Sequence, residues 1–165
     1  MKKRTYHLII GGNLGDRIER LAHARQLLAE KAGMIVAEST IYESQPWGHE
    51  DQPMFLNQVL ALQSSQSPIE LLETIQQIEE EAGRIATKKW HARTIDIDIL
   101  FSGDEIIRQN RLDIPHPLLQ DRNFVLIPLM EIASDMIHPI LNKSIEEIYL
   151  DCQDRGEVYI FNLDE

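Results

Sequence analysis

The sequence is informative first through what it has in short supply. A single cysteine, Cys152, stands among 165 residues, so an internal disulfide is excluded and a reducing compartment is expected. No apolar run approaches the roughly 20 residues of a membrane-spanning helix, and Leu8–Ile10 is too short for the core of a signal peptide. These shortages predict a cytoplasmic protein that does not contact a membrane.

Positive charge is also scarce. Sixteen Lys and Arg face 27 Asp and Glu, which gives a formal net charge of -11 and a pI near 4.9. A polyanion is repelled by such a surface, so non-specific binding of nucleic acid is not expected. The G-x-x-x-x-G-K-[ST] loop of many nucleotide-binding proteins is missing as well, and the Gly-rich turn after the first predicted strand is interpreted as a tight strand-to-helix connection.

The remaining composition, 43% apolar and 26% charged, is that of an ordinary globular chain, and we expect one catalytic domain over residues 1–165. Capping boxes start two amphipathic helices, at Asp16 and at Ser67. Apolar runs predict strands at 6–11, 34–42, 55–62 and 94–100. This β-α-β-β-α-β order predicts an α+β, ferredoxin-like core with a mostly antiparallel sheet and helices packed on it. A short strand near Ile106, helices at 124–132 and after Ser144, and an edge strand at 157–163 would form a C-terminal extension.

The fourth predicted strand, T-I-D-I-D-I-L, carries two carboxylates. Alternation places Asp96 and Asp98 on one face and the isoleucines between them in a core. Side chains i and i+2 on a strand lie roughly 6 to 7 Å apart, which suits a pair of hard cations. Magnesium prefers oxygen ligands and often brings substrate phosphates with it.

A plain antiparallel strand with one wet face explains the same alternation and is the commoner case. Two aspartates on one face of a short β-branched strand are nevertheless disfavoured without a compensating cation. The densest basic cluster of this acidic chain precedes them directly, in R-I-A-T-K-K-W-H-A-R at 84–93. Together the two features indicate a site for a polyphosphate.

Two further segments are candidates for function. Residues 43–54 form a long connection with two prolines and Trp47, which either covers the core or closes over a substrate. His116 lies between two prolines that restrict its backbone, with Arg111 and Arg122 on either side. A structural histidine is the default interpretation, and a phosphate-binding His–Arg pair is the alternative.

Four motifs, in order along the chain, carry a family resemblance: G-G-N-L-G-D, P-W-G-H-E-D-Q-P-M-F-L-N, K-W-H-A-R-T-I-D-I-D-I-L and I-P-H-P-L-L-Q-D-R-N-F-V-L-I-P-L. The chain resembles 6-hydroxymethyl-7,8-dihydropterin pyrophosphokinases of folate biosynthesis from about Tyr6 to about Ala133. The resemblance implies transfer of pyrophosphate from ATP to the pterin alcohol with release of AMP.

The resemblance also implies roles for individual residues. Two magnesium ions would be held by Asp96 and Asp98, with Asp98 also near the attacking hydroxyl. Catalytic charge would come from Arg84, Lys88, Lys89 and Arg93. The ATP site would comprise Gln76, Glu79, Arg84, Trp90, Arg93, Ile99, Arg111, His116 and Arg122. The pterin site would comprise Ser44, Pro46, Trp47, Phe55, Asn57 and Phe124, with the two phenylalanines stacking on the ring.

The chain departs from the family pattern in a few places. Ala86 stands where a second loop arginine is usual, and Lys88 or Lys89 would supply that positive charge. A lysine ammonium is a point charge, whereas an arginine guanidinium presents a planar fork of donors. S-Q-P-W-G replaces T-P-P-L-G, His91 replaces a glycine, and Pro117 replaces a frequent tyrosine. The expected protein is a monomer whose partners are its two substrates, with a weak association with the next folate-pathway enzyme as a further expectation.

Two alternatives remain open from the sequence. A diverged ferredoxin-like module could sense a nucleotide without turning it over, which an assay for AMP separates. A different small phosphotransferase on the same scaffold would release ADP instead of AMP.

Overall fold

The computed structural model describes residues 2–45, 53–82, 95–109 and 111–162. Its elements follow the chain as β1 Arg4–Gly12, α1 Arg17–Lys31, β2 Met34–Glu38, β3 Tyr42–Ser44, β4 Phe55–Ser64, α2 Pro68–Ala82, β5 Asp96–Ser102, β6 Ile107–Gln109, β7 Leu112–Ile114, α3 Asn123–Ala133, α4 Ile145–Asp151 and β8 Val158–Ile160. A 3-10 turn at Leu119–Asp121 precedes α3. No helix within these ranges is both long and apolar enough to cross a bilayer.

The main sheet is centred on β1 and β4. Its strand order is β5-β1-β4-β3-β8, with β2 pairing beside β3 along the same side of β4. The pairings within this sheet are antiparallel, and β6 and β7 form a separate hairpin. The predicted mixture of helices with a mostly antiparallel sheet is thereby confirmed.

Strand alternation divides the apolar side chains between two cores. Leu8 and Ile10 of β1 lie in the core that α1 and α2 cover, whereas Ile9 lies in the core that α3 and α4 cover. Each fully buried Leu or Ile side chain contributes about 1.5–3 kcal/mol relative to exposure. Helices on both faces therefore fix which face of each strand is available for a site.

The predicted strand over 34–42 is wrong in one respect, because it is broken into β2 and β3. At the break, the Ser39 hydroxyl accepts the N–H of Val59 at 3.0 Å, and the Gln58 amide donates to the Ser39 carbonyl at 2.8 Å. Side chains thus replace part of the strand ladder there. Periodicity cannot reveal this exchange because Ser and Thr also occur in strands.

Both predicted helix starts are confirmed. The Asp16 carboxylate accepts the N–H of Glu19 at 3.1 Å, and Ser67 and Glu70 exchange side-chain and backbone hydrogen bonds. Ser144 caps α4 in the same reciprocal way. Pro128 lies in the middle of α3.

Candidate active site

Gly11 lies at the centre of the site. It pairs with Asn57 on one side and with Asp96 on the other, so two interstrand spacings, roughly 9–10 Å, separate the backbones of Asn57 and Asp96. A Cβ on Gly11 would lie 2.3 Å from the Asn57 Oδ1 and 2.8 Å from the Leu56 carbonyl oxygen. Only glycine lets the Asn57 amide lie against β1 at this position, and no side chain of β1 stands between the amide and the Asp96 carboxylate.

The acidic strand has the orientation that its alternation predicts. Ile97 and Ile99 are 4% and 6% exposed and belong to the core under α1 and α2, whereas Asp96 and Asp98 are half-buried. Asp98 pairs with Ile9, whose side chain belongs to the opposite core. Both carboxylates therefore lie on the sheet face that α3 and α4 cover only in part.

Glu79 of α2 reaches the outer edge of β5. Its Oε2 accepts the backbone N–H of Ile97 at 2.8 Å. Among the described residues no strand pairs with β5 on that side, so Glu79 satisfies a backbone donor at the edge of the sheet. Burial, followed by the negative charges of Asp96 and Asp98, raises the pKa of Glu79 to about 8, against the lowering effect of the Ile97 bond. Three carboxyl groups thus lie around the start of β5, and their proximity favours the protonated form of Glu79.

A pocket of about 320 Å³ opens beside Asp98. Its walls are Leu72, Ile97, Asp98, Ile99, Arg111, Leu112, Asp113, His116 and Pro117. Four predicted site residues, Asp98, Ile99, Arg111 and His116, are brought together here from two separate segments. The pocket is charged at its rim and apolar along one wall, which suits a molecule with an anionic part and a flat apolar part.

His116 is held in one orientation. Its Nδ1 accepts the N–H of Leu118 at 3.1 Å, and its backbone N–H donates to the Leu100 carbonyl at 3.0 Å. Burial first, and the Arg122 charge second, lower the pKa of His116, while Asp96 and Asp113 oppose them. A neutral ring whose Nδ1 accepts carries its proton on Nε2, so Nε2 is a hydrogen-bond donor at neutral pH.

The predicted pterin residues lie at the other side of Gly11. Asn57 Nδ2 donates to the buried Ser44 Oγ at 2.9 Å, and Ser44 pairs with Phe55 across β3 and β4. Phe124, at the start of α3, packs against the second core. The Arg122 guanidinium carbon lies 5.7 Å from the Phe124 ring centroid, so the same arginine influences His116 on the nucleotide side and contacts the ring predicted to stack on pterin.

The other predicted residues are placed as follows. Gln76 is exposed on α2, one turn beyond Leu72 and one turn before Glu79. Seven residues lie outside the described ranges: Pro46, Trp47, Arg84, Lys88, Lys89, Trp90 and Arg93.

Five of the nine residues that line the pocket were not among the predicted site residues: Leu72, Ile97, Leu112, Asp113 and Pro117. Leu72 packs against the core under α1 and α2 and also forms a wall of the pocket. Asp113 is the exposed residue between two buried ones in β7, and it contributes to the electrostatic environment of His116. Its position between Arg111 and His116 in an alternating L-D-I strand was the available signal.

The chain is similar to known proteins over most of its length. The family model described as 7,8-dihydro-6-hydroxymethylpterin-pyrophosphokinase matches residues 7–134. A protein of Aquifex aeolicus named 2-amino-4-hydroxy-6-hydroxymethyldihydropteridine pyrophosphokinase is 46% identical over 143 residues, which cover 87% of this chain and 89% of the relative. A protein of the same name from Haemophilus influenzae is 40% identical, over 82% of this chain and 85% of the relative.

Solved structures share the fold at low sequence identity. Plasmodium falciparum HPPK-DHPS with pteroate superposes with a TM-score of 0.74 at 18% identity, and the matched part covers 91% of this chain and 42% of that one. This chain therefore spans less than half the length of that structure. The family match over most of the chain, together with relatives above 40% identity, shows that the chain belongs to the 7,8-dihydro-6-hydroxymethylpterin-pyrophosphokinase family.

Proposed function

We propose that this chain transfers the β,γ-pyrophosphoryl group of ATP to the hydroxymethyl oxygen of 6-hydroxymethyl-7,8-dihydropterin, a step of tetrahydrofolate biosynthesis. Its family consists of ATP-dependent pyrophosphokinases, and its relatives carry that name over nearly their full length. The observation that carries the proposal is the row Asn57–Gly11–Asp96, which sets an amide suited to ring recognition and an acidic pair on the two strands that flank β1.

Magnesium fits the residues present. In the described part of the chain, no three His, Cys, Asp or Glu side chains form a metal site by themselves. Magnesium, however, is commonly held by one or two carboxylates together with water and substrate phosphates, and Asp96 and Asp98 are two such carboxylates on one face. When bound, magnesium would neutralise the charge of the polyphosphate.

The chain's own residues would orient the substrates and the proton. The hydroxymethyl oxygen forms a bond to the β-phosphorus, the bond from that phosphorus to the α,β-bridging oxygen breaks, AMP leaves, and the hydroxyl proton is lost. Asp98 would lie near the attacking hydroxyl, and His116 Nε2 and Arg122 would donate to phosphate oxygens. Positioning and charge neutralisation suffice for this type of transfer, so no nucleophilic side chain is needed.

The pterin would bind between Phe55 and Phe124, with Asn57 and the Ser44 backbone at its polar rim. The adenosine would lie along Gln76, Glu79 and the Ile99 backbone, above the pocket beside Asp98. The eight remaining predicted residues would complete the two sites: Arg84, Lys88, Lys89, Trp90 and Arg93 with Arg111 around the phosphates, and Pro46 and Trp47 over the pterin.

The finer organisation of the molecule is part of the same proposal. We infer a ferredoxin-like core that ends with β5, followed by a C-terminal extension, and one catalytic domain over the whole chain; the strand order β5-β1-β4-β2 supports it. We also infer a monomer in the cytoplasm that associates weakly with the next folate-pathway enzyme. In solved chains named HPPK-DHPS, the part that matches this chain covers less than half of the length. These chains support the inferred association with the next enzyme.

A product assay tests the function. Purified protein with magnesium, ATP and 6-hydroxymethyl-7,8-dihydropterin should form AMP and the pyrophosphorylated pterin in equal amounts. ADP as the nucleotide product would indicate a different phosphotransferase, and nucleotide binding without turnover would indicate a sensing module. Calorimetry adds a second arm, in which uptake of an ATP analogue should require magnesium.

A further inference from the structure

Arg17, in the first turn of α1, joins the two strands that carry the proposed pterin residues. Its Nη1 donates to the Glu43 carboxylate of β3 at 2.7 Å and to the Met54 carbonyl at 2.9 Å. Its guanidinium carbon also lies 5.6 Å from the Phe161 ring centroid. One side chain thus contacts β3, the residue before β4, and the segment after β8.

The two hydrogen-bond acceptors of Arg17 are the immediate neighbours of site residues. Glu43 precedes Ser44, and Met54 precedes Phe55; Ser44 and Phe55 form the last cross-strand pair of β3 and β4. A guanidinium bound to both strands fixes their separation at that end. The spacing of Ser44, Phe55 and Asn57 therefore depends on Arg17, although Arg17 itself is not among the residues proposed to contact substrate.

Arg20, one turn further along α1, reaches the other proposed substrate side. Its Nη1 donates to the carbonyl oxygen of Ala82 at 3.1 Å, and Ala82 is the last residue of α2. The final carbonyls of a helix lack partners within the helix, and a cation there is favourable. Arg20 thereby holds the end of the helix that presents Gln76 and Glu79 to the nucleotide.

We propose that Arg17 and Arg20 are positioning residues with separate tasks: Arg17 aligns the pterin side of the site, and Arg20 aligns the nucleotide side. The assignment rests on the proposed function, since it uses the two substrate sides defined there. Because both arginines lie on one helix, the N-terminal half of α1 fixes the position of the pterin side relative to the nucleotide side across β1.

The chain offers a matched control in Arg4, at the opposite end of β1. Arg4 Nε lies 2.9 Å from the Glu105 carboxylate, and the two side chains are 24% and 33% exposed; for Arg17 and Glu43 both values are 26%. A general loss of an ion pair should therefore affect stability similarly in both places. Only a positioning role predicts that loss of the ion pair changes KM for one substrate and not for the other.

The experiment compares Arg17→Met, Arg20→Met and Arg4→Met by steady-state AMP formation, with each substrate varied in turn. We expect Arg17→Met to raise KM for the pterin alcohol about tenfold with little change in KM for ATP, and Arg20→Met to do the reverse. Arg4→Met should change neither constant. Calorimetric titrations with the pterin alcohol and with a non-hydrolysable ATP analogue should show the same division.

A conservative variant separates positioning from simple packing. Both Arg17 bonds start from one nitrogen, so the ammonium of Arg17→Lys can reach the same two acceptors, and KM for the pterin should return to within about threefold of wild type. Equal changes in both KM values, or no more change than Arg4→Met shows, would overturn the assignment while leaving the function intact. Absence of AMP formation by the wild-type protein would instead overturn the function on which the assignment rests.

Discussion

The two ends of the β1–β4 ladder differ in what their side chains do. At one end, the Tyr6 hydroxyl donates to the Gln66 carbonyl at 2.7 Å, and Glu105 accepts from both Arg4 and Ser102. At the other end, Gly11 stands between Asn57 and Asp96. The first end is closed by side chains that satisfy one another, whereas at the second end no side chain of β1 stands between Asn57 and Asp96. We refer to them as the closed end and the open end.

The difference originates in one residue near each end of β1. Tyr6 is fully buried and fills its end, while Gly11 has no side chain and lets the Asn57 amide lie against the strand. The same antiparallel backbone pairing therefore supports stabilising side-chain hydrogen bonds at one end and the proposed binding site at the other. Substitutions at the closed end should therefore affect the free energy of unfolding and leave turnover unchanged, whereas substitutions at the open end should affect substrate binding or turnover.

The largest effect is expected from Asp98→Asn at the open end. This change keeps the shape of the side chain and removes the charge, so turnover should fall by about a thousandfold or more. Unfolding free energy should stay within about 0.5 kcal/mol, because repulsion from the neighbouring carboxylates is also relieved. AMP formation and urea denaturation measure the two quantities.

Asp104→Asn is the control for that change, since Asp104 is an exposed carboxylate in the turn at the closed end of β5. It should leave turnover unchanged. Full activity of Asp98→Asn in the presence of magnesium would contradict the proposed role of the acidic pair.

The next effect is expected from Gly11→Ala. The new methyl group would meet the Asn57 amide and the Leu56 carbonyl, so unfolding free energy should fall by about 1–3 kcal/mol and affinity for the pterin alcohol should fall with it. Calorimetry with the pterin and denaturation with urea measure these changes.

Gly103→Ala is the comparison at the closed end. Gly103 has φ +55° and open space around its missing Cβ, so alanine there should cost about 1 kcal/mol through backbone strain alone. Pterin affinity should not change. If both alanine variants bind the pterin like the wild type, the space at Gly11 is not part of the site.

The smallest effect is expected from Tyr6→Phe, and it depends on pH. Burial raises the pKa of Tyr6 to about 12, with Arg4 and Ser102 opposing. The contribution of this pKa shift to the free energy of unfolding is therefore fully present below about pH 10, the pKa of an unfolded tyrosine. It is lost as pH rises from 10 to 12, because the unfolded chain releases the proton first.

Unfolding free energies of the wild type and Tyr6→Phe at pH 8, 10 and 11 test this. At pH 8 the variant should be about 1 kcal/mol less stable through loss of the Gln66 bond, and its stability should decline less steeply above pH 10. Parallel declines would contradict the assignment to Tyr6, and turnover at pH 8 should be equal.

Much of the site could be predicted because local rules govern it. Alternation alone predicts that Asp96 and Asp98 share a face and that the isoleucines are buried, and capping residues predict where α1 and α2 begin. The split between β2 and β3 could not be predicted, since it depends on Ser39 bonding to residues about 20 positions away. The pocket roles of Leu72 and Asp113 depend in the same way on distant segments.

By itself the sequence determined the chemistry available: an acidic strand, a histidine between prolines, and motifs typical of one family. Tertiary structure decided which of these groups meet. Antiparallel register set Asn57 and Asp96 on either side of Gly11, and packing brought Arg17 and Arg20 against strands and a helix far along the chain. The physical reason is that local propensity acts over a few residues, whereas register and helix packing are fixed by burial of side chains distant in sequence.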